Sequence, residues 1–179
     1  RITEQEASKL VTSRIVVLPV INSFQYVVGY YSFKGKEQNF NVISNEITVI
    51  GMGYVGLTLS VILSEIGFKV IGFDKNKDLI NKLNKKIIPF YEKDLSKYIE
   101  KNVYKKLFFR NNFKKINSSI FVISVGTPIK KNKKPALANL NQAIDLVGKN
   151  LKKGNLVVLR STLPVGTTRD VVIPRLERN

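Results

Sequence analysis

Three glycines, Gly51, Gly53 and Gly56, fall inside the run ITVIGMGYVGLTLSVILSEIG, between a short β-branched stretch and a longer apolar one. That is the setting in which a G-x-G-x-x-G turn binds a dinucleotide. The first glycine permits a tight turn, the second admits a pyrophosphate to the backbone, and the third lets helix and strand approach closely. The helix N-terminus then offers free N–H groups and the positive end of the helix dipole to the phosphates. The same spacing also serves plain packing, so the turn alone does not decide. Asp74 ends the next apolar stretch, KVIGFD, near the roughly 20-residue spacing expected of a carboxylate that accepts ribose hydroxyls. A carboxylate there repels a 2′-phosphate and favours NAD over NADP, while Lys75 and Lys77 argue the other way. The plainer alternative is that Asp74 caps the helix that follows.

Two further segments carry hydroxyls. In SVGTPIKKNKKPAL, Gly126 and Pro128 shape a turn that presents Thr127; in RSTLPVGTT, Ser161 and Thr162 follow another apolar run, and Gly166-Thr167-Thr168 resembles a helix start. In a doubly wound sheet the loops at the carboxyl ends of the strands line the ligand crevice. Three such loops together exceed what packing needs, although the first reads equally as a Gly/Pro turn and the second as an ST turn. With no histidine and no cysteine, the chain lacks the usual acid–base and nucleophilic groups and the usual zinc ligands. No metal is expected.

The elements that must hold these residues follow from apolar periodicity. EITVIG, KVIGFD, KLFFRNNF, SSIFVISVG and NLVVLRST read as five strands. Between them YVGLTLSVILSEIG, apolar nearly all round, reads as a buried helix closed by Gly67. KNKDLINKLNKK reads as a surface helix with Leu79, Ile80 and Leu83 on one side, and KDLSKYIEKN as a further helix. In ANLNQAIDLVGKNL the residues Leu140, Ala143, Ile144, Val147 and Leu151 form one stripe, and Asn139 with Gln142 has the spacing of a capping box. GTTRDVV opens another helix. The alternation predicts an α/β fold, a doubly wound parallel sheet of the Rossmann type, over residues 46–179. Residues 1–45 form an N-terminal extension of uncertain structure. RIVVLPVI, FQYVVGYYSF and FNVIS read there as short strands or a hairpin, with Pro19 breaking the first, either packed on the sheet edge or belonging to something else.

Composition sets the class. The length suits one domain with an appendage. The absence of cysteine excludes a disulfide scaffold, acidic residues near the start argue against a signal peptide, and no apolar run is long enough to span a membrane, so a cytoplasmic location is expected. The net charge of +17 is carried mostly by lysines among asparagines, with few arginines or aromatic platforms for reading bases. Nucleic acid is therefore not the expected partner, and the positive field suits anionic small molecules.

VIGMGYVGLTLS, VIGFDKNKDLINKLN, PFYEKDL, VISVGTPIKKNKKPALANLNQAI and LKKGNLVVLRSTLPVGTTRDVVIPRLE occur in the order seen in the nucleotide-sugar 6-dehydrogenases, which the chain resembles over residues 46–177. These are the UDP-glucose, GDP-mannose and UDP-N-acetylmannosamine dehydrogenases, and the last branch is the one the LKKGNLVVLRSTLPVGTT wording resembles slightly more. The resemblance implies a two-step NAD-dependent oxidation of a sugar C6 alcohol to a carboxylate. It implies that Gly51, Gly53, Tyr54, Val55 and Gly56 form the phosphate loop, that Asp74 holds the ribose, and that Thr127 and Thr162 line the nicotinamide end; Ser161, beside Thr162, is a cofactor-binding candidate by its place in the loop. Thr162 is the one catalytic candidate, through support of a water near the reacting carbon.

There are departures. Leu79 stands where the family often has a basic residue, Arg160 where many members have glutamate, and Met52 and Thr58 where leucine and proline are more usual. The family's cysteine nucleophile, with its lysine and asparagine neighbours, belongs to segments not found in this sequence. The expectation is the cofactor half of a longer enzyme, inactive alone, with a UDP-sugar substrate held by the missing half and a homo-oligomeric full-length protein. A stand-alone NAD-binding or regulatory module is the alternative.

Overall fold

The computed structural model describes residues 16–19, 46–114, 116–131, 135–152 and 155–178. Its strands are β1 (Val16–Pro19), β2 (Glu46–Ile50), β3 (Lys69–Phe73), β4 (Leu107–Arg110), β5 (Ile120–Ile123) and β6 (Leu156–Leu159). Its helices are α1 (Tyr54–Glu65), α2 (Lys77–Asn84), α3 (Leu95–Asn102), α4 (Ala138–Gly148) and α5 (Ile173–Glu177), the last entered through a π-helical turn, Thr168–Val172. All strand pairs are parallel, in the order β1-β6-β5-β2-β3-β4. The five strands expected from the apolar runs all form.

Starting from β4, the first five positions follow the 3-2-1-4-5 order of a doubly wound sheet. The sixth is taken by β1, which comes from ahead of the first strand of the βαβ series. Val16 pairs with Leu156 and Pro19 with Leu159, at the sheet edge where a proline is tolerated. FQYVVGYYSF and FNVIS lie outside the described residues.

Alternation along β2 explains why helices cover both faces. Ile47 and Val49 point to a cluster with Leu57 and Val61 of α1, Leu83 of α2 and Ile99 of α3. Ile50 points the other way, to a cluster with Phe121, Leu140 and Ile144 of α4, and Leu176 of α5. A parallel strand covered on both faces is expected to be apolar, as β5 is; in β2 the one buried polar side chain, Thr48, is satisfied by a 2.7 Å hydrogen bond with the Ser118 hydroxyl.

Two expectations need correction. First, α1 is not buried all round: Gly56, Leu57, Ser60, Val61 and Ser64 face the sheet, while Val55 and Ile62 are 45% and 41% exposed. A helix laid on a sheet buries one side whatever its composition. Gly67 does close it, at a φ of 111°, with its own N–H donating to the Ser64 carbonyl and the Phe68 N–H to that of Leu63. Second, Asn139 and Gln142 do not form a capping box. α4 starts after Leu137 with no side-chain cap, and both amides point instead at Lys75.

Candidate functional site

The crevice lies where the strand order reverses, between the carboxyl ends of β2 and β5. The end of β2 is pinned from both sides: the Gly51 N–H donates to the Phe73 carbonyl and the Ser124 N–H to that of Ile50, each at 2.8 Å. Gly51 turns the chain there at a φ of 97°, and a side chain on it would meet the Ser124 carbonyl oxygen at 2.7 Å. A Cβ on Gly56 would come within 1.8 Å of the Gly51 carbonyl oxygen, so α1 rests directly on the turn. At Gly53 a Cβ would meet nothing within 4 Å. Of the three glycines, this is the one whose missing side chain leaves open space in front of the helix.

α1 begins at that opening. Its N-cap is Gly53, no side chain caps it, and no acidic residue occupies its first turn. The free N–H groups and the dipole end are thus available to an anion. Tyr54, 55% exposed, leans on Phe90 with ring centroids 4.9 Å apart, and its hydroxyl donates to Glu92. That bond, with the nearby carboxylate charge, raises the Tyr54 hydroxyl above its usual pKa and keeps it neutral. PFYEKDL therefore walls one side of the phosphate loop. Thr58 donates back to the Tyr54 carbonyl at 2.9 Å, and buried Met52 fills the space above Gly72, where a Cβ would lie 2.6 Å from its sulfur.

Asp74 is drawn into the turn. One carboxylate oxygen accepts the Met52 N–H at 2.8 Å, and the other accepts the Asn76 N–H at 2.9 Å. The capping of α2 falls to Asn76, whose side chain accepts from the Asp78 and Leu79 N–H groups. The carboxylate is half-buried beside the glycine turn, with lone pairs left to accept hydroxyls. Leu79 is partly buried and packs into the core, which leaves the ribose side without a cation at that position.

The two hydroxyl-bearing loops are laced to each other. Thr127 donates to the Thr162 carbonyl at 2.8 Å and Ser161 to the Val125 carbonyl at 2.7 Å. The protons of both hydroxyls are thereby used in holding the loops after β5 and β6 together. The Thr162 side chain is exposed and its hydroxyl has no hydrogen-bond partner among the described residues. No group of three His, Cys, Asp or Glu residues that could hold a metal occurs among the described residues, and none of their helices is long and apolar enough to cross a membrane.

The structure thus brings Gly51, Gly53, Tyr54, Val55, Gly56 and Asp74 to one side of the crevice, and Thr127, Ser161 and Thr162 to the adjoining loops. Sequence reasoning missed the Tyr54–Phe90–Glu92 wall and the Lys75–Asn139–Gln142 contact. The first was signalled only by the aromatic and acidic residues of PFYEKDL. The second had no local signal.

The family model described as "UDP-glucose/GDP-mannose dehydrogenase family, NAD binding domain" matches residues 45–179. A UDP-glucose 6-dehydrogenase of Rickettsia typhi is 36% identical over 131 residues, covering 70% of this chain and 30% of that protein. A GDP-mannose dehydrogenase of Pseudomonas aeruginosa, solved as a ternary complex, is 33% identical with a TM-score of 0.70, covering 74% of this chain and 32% of that one. A UDP-D-ManNAc dehydrogenase of Pyrococcus horikoshii gives 30% and 0.71 over the same shares. The chain spans about a third of the length of these three relatives.

Proposed function

The chain belongs to the UDP-glucose/GDP-mannose dehydrogenase family and carries its NAD-binding domain, and from that premise we propose that it is the cofactor-holding part of a UDP-sugar 6-dehydrogenase. The whole enzyme oxidises a sugar C6 alcohol to the carboxylate, in the cytoplasm where NAD is kept, as a homo-oligomer. In this reading residues 46–179 are the NAD-binding domain. NAD, when bound, accepts the hydride released at each of the two oxidations.

The residues fit that cofactor. The opening at Gly53 and the uncapped first turn of α1, with the Tyr54, Val55 and Gly56 N–H groups, receive the pyrophosphate. Asp74 accepts the ribose hydroxyls while its bond to the Met52 N–H fixes it against the turn. Thr127 and Ser161 set the spacing of the two loops at the nicotinamide end, and the free Thr162 hydroxyl orients a water beside the reacting carbon. The aldehyde stage needs a thiolate by family resemblance, and this chain has no cysteine. It therefore binds NAD without completing turnover.

The observation that carries the reading is the Asp74–Met52 bond, which joins the ribose acid to the glycine turn in one rigid unit. The test is calorimetric titration of the chain with NADH. Saturable binding, lost in Asp74→Ala while the fold stays intact, is expected. Absence of saturable binding by the unaltered chain would overturn the reading.

A further inference from the structure

Lys75 directly follows the ribose acid, where a basic side chain commonly takes the 2′-phosphate of NADP. Here it is turned away. Its ammonium donates to Asn139 Oδ1 and to Gln142 Oε1, both at 3.0 Å, across the crevice on α4. The Asn139 amide is itself oriented, since its Nδ2 faces the Gly126 carbonyl at 3.5 Å and so leaves the oxygen toward the lysine. Lys75 makes no ion pair with Asp74, whose two oxygens take backbone N–H groups from Met52 and Asn76.

We infer that Asn139 and Gln142 are specificity-determining residues: by holding Lys75 on α4 they keep the Asp74 charge uncompensated and deny a 2′-phosphate its cation. The inference rests on the proposed NAD site and goes beyond it, since it places the choice between the two cofactors on the first turns of a different helix. Two neutral amide oxygens hold the ammonium without cancelling its charge, so the same lysine remains competent to bind phosphate once released. The cofactor preference is then set by where Lys75 is held as well as by Asp74.

The experiment compares NADH and NADPH Kd values for the chain, Asn139→Ala/Gln142→Ala, and the same double variant with Lys75→Ala. With no tryptophan in the chain, nicotinamide fluorescence reports binding directly. The double variant should lower the NADPH-to-NADH Kd ratio about tenfold through tighter NADPH binding, with NADH affinity as the internal measure that the pocket is intact. Adding Lys75→Ala should restore the ratio. A ratio unmoved in a double variant that still binds NADH, or a gain that persists without Lys75, would overturn the inference alone. Failure of the unaltered chain to bind NADH would overturn the proposed site and this inference with it.

Discussion

Gly53 and Gly56 are three residues apart and lack side chains for opposite reasons. At Gly56 a Cβ would strike the Gly51 carbonyl oxygen at 1.8 Å, and backbone cannot give way as a flexible side chain can. Gly56→Ala should cost about 3 kcal/mol or more in urea unfolding. At Gly53 the backbone is extended, with a φ of −70°, and the space in front is empty. Gly53→Ala should therefore cost under about 1 kcal/mol of stability, while NADH affinity falls about tenfold or more because the methyl occupies the pyrophosphate's place. Equal losses of stability in both variants would contradict this division of roles. Only the candidate turn was legible from the G-x-G-x-x-G spacing, which serves plain packing equally well. The bond from the Met52 N–H to Asp74 was not, because it spans two strands.

At the scale of elements, α1 and α3 are joined by one carboxylate. Glu65 accepts from Lys101 at 2.8 Å and from buried Asn102, whose amide also donates to the Tyr98 carbonyl at 2.9 Å. Donation from Lys101, then from Asn102, holds the Glu65 carboxyl below its usual pKa. A carboxylate lowered on folding adds stability that is complete above its unfolded pKa and disappears as pH falls through the folded one. Glu65→Gln should thus melt slightly below the unaltered chain at pH 7, and the gap should close as pH drops below about 4.3. A gap that stays constant down to pH 3 would mean the carboxylate's charge is not what joins the helices.

The sequence showed where α1 and α3 would form, and it showed all five strands of the βαβ series, since runs such as SSIFVISVG state their periodicity locally. It misled on α1, whose Val55 and Ile62 are as apolar as its buried face but look outward. It misled on Asn139 and Gln142 because one i, i+3 spacing serves a capping box and a shared grip on a distant lysine equally well. Lys75 lies 64 residues before Asn139 and cannot be seen from within the helix. The interlacing of Thr127 with Thr162 and Ser161 with Val125 was hidden for the same reason.

For the whole molecule, a charge of +17 acts on any anion that approaches. NADH carries negative charge on its pyrophosphate, so association should be steered and should slow several-fold from about 0.05 to 0.5 M salt, with dissociation nearly constant. Stopped-flow measurement of both rates checks this; an association rate indifferent to salt would show that the lysines form a solvated coat with no part in capture. The same molecule places β1, which precedes the βαβ series in the chain, at the far side of β6. Strand β1 leaves the ribosome long before Leu156, its partner, exists, and at about 5–20 residues per second the wait is on the order of ten seconds. Throughout that interval an apolar segment with open N–H and C=O groups has no proper neighbour. Slower translation should then lengthen the interval in which β1 can pair with another chain instead of β6, which a comparison of soluble yield at slow and fast translation would check.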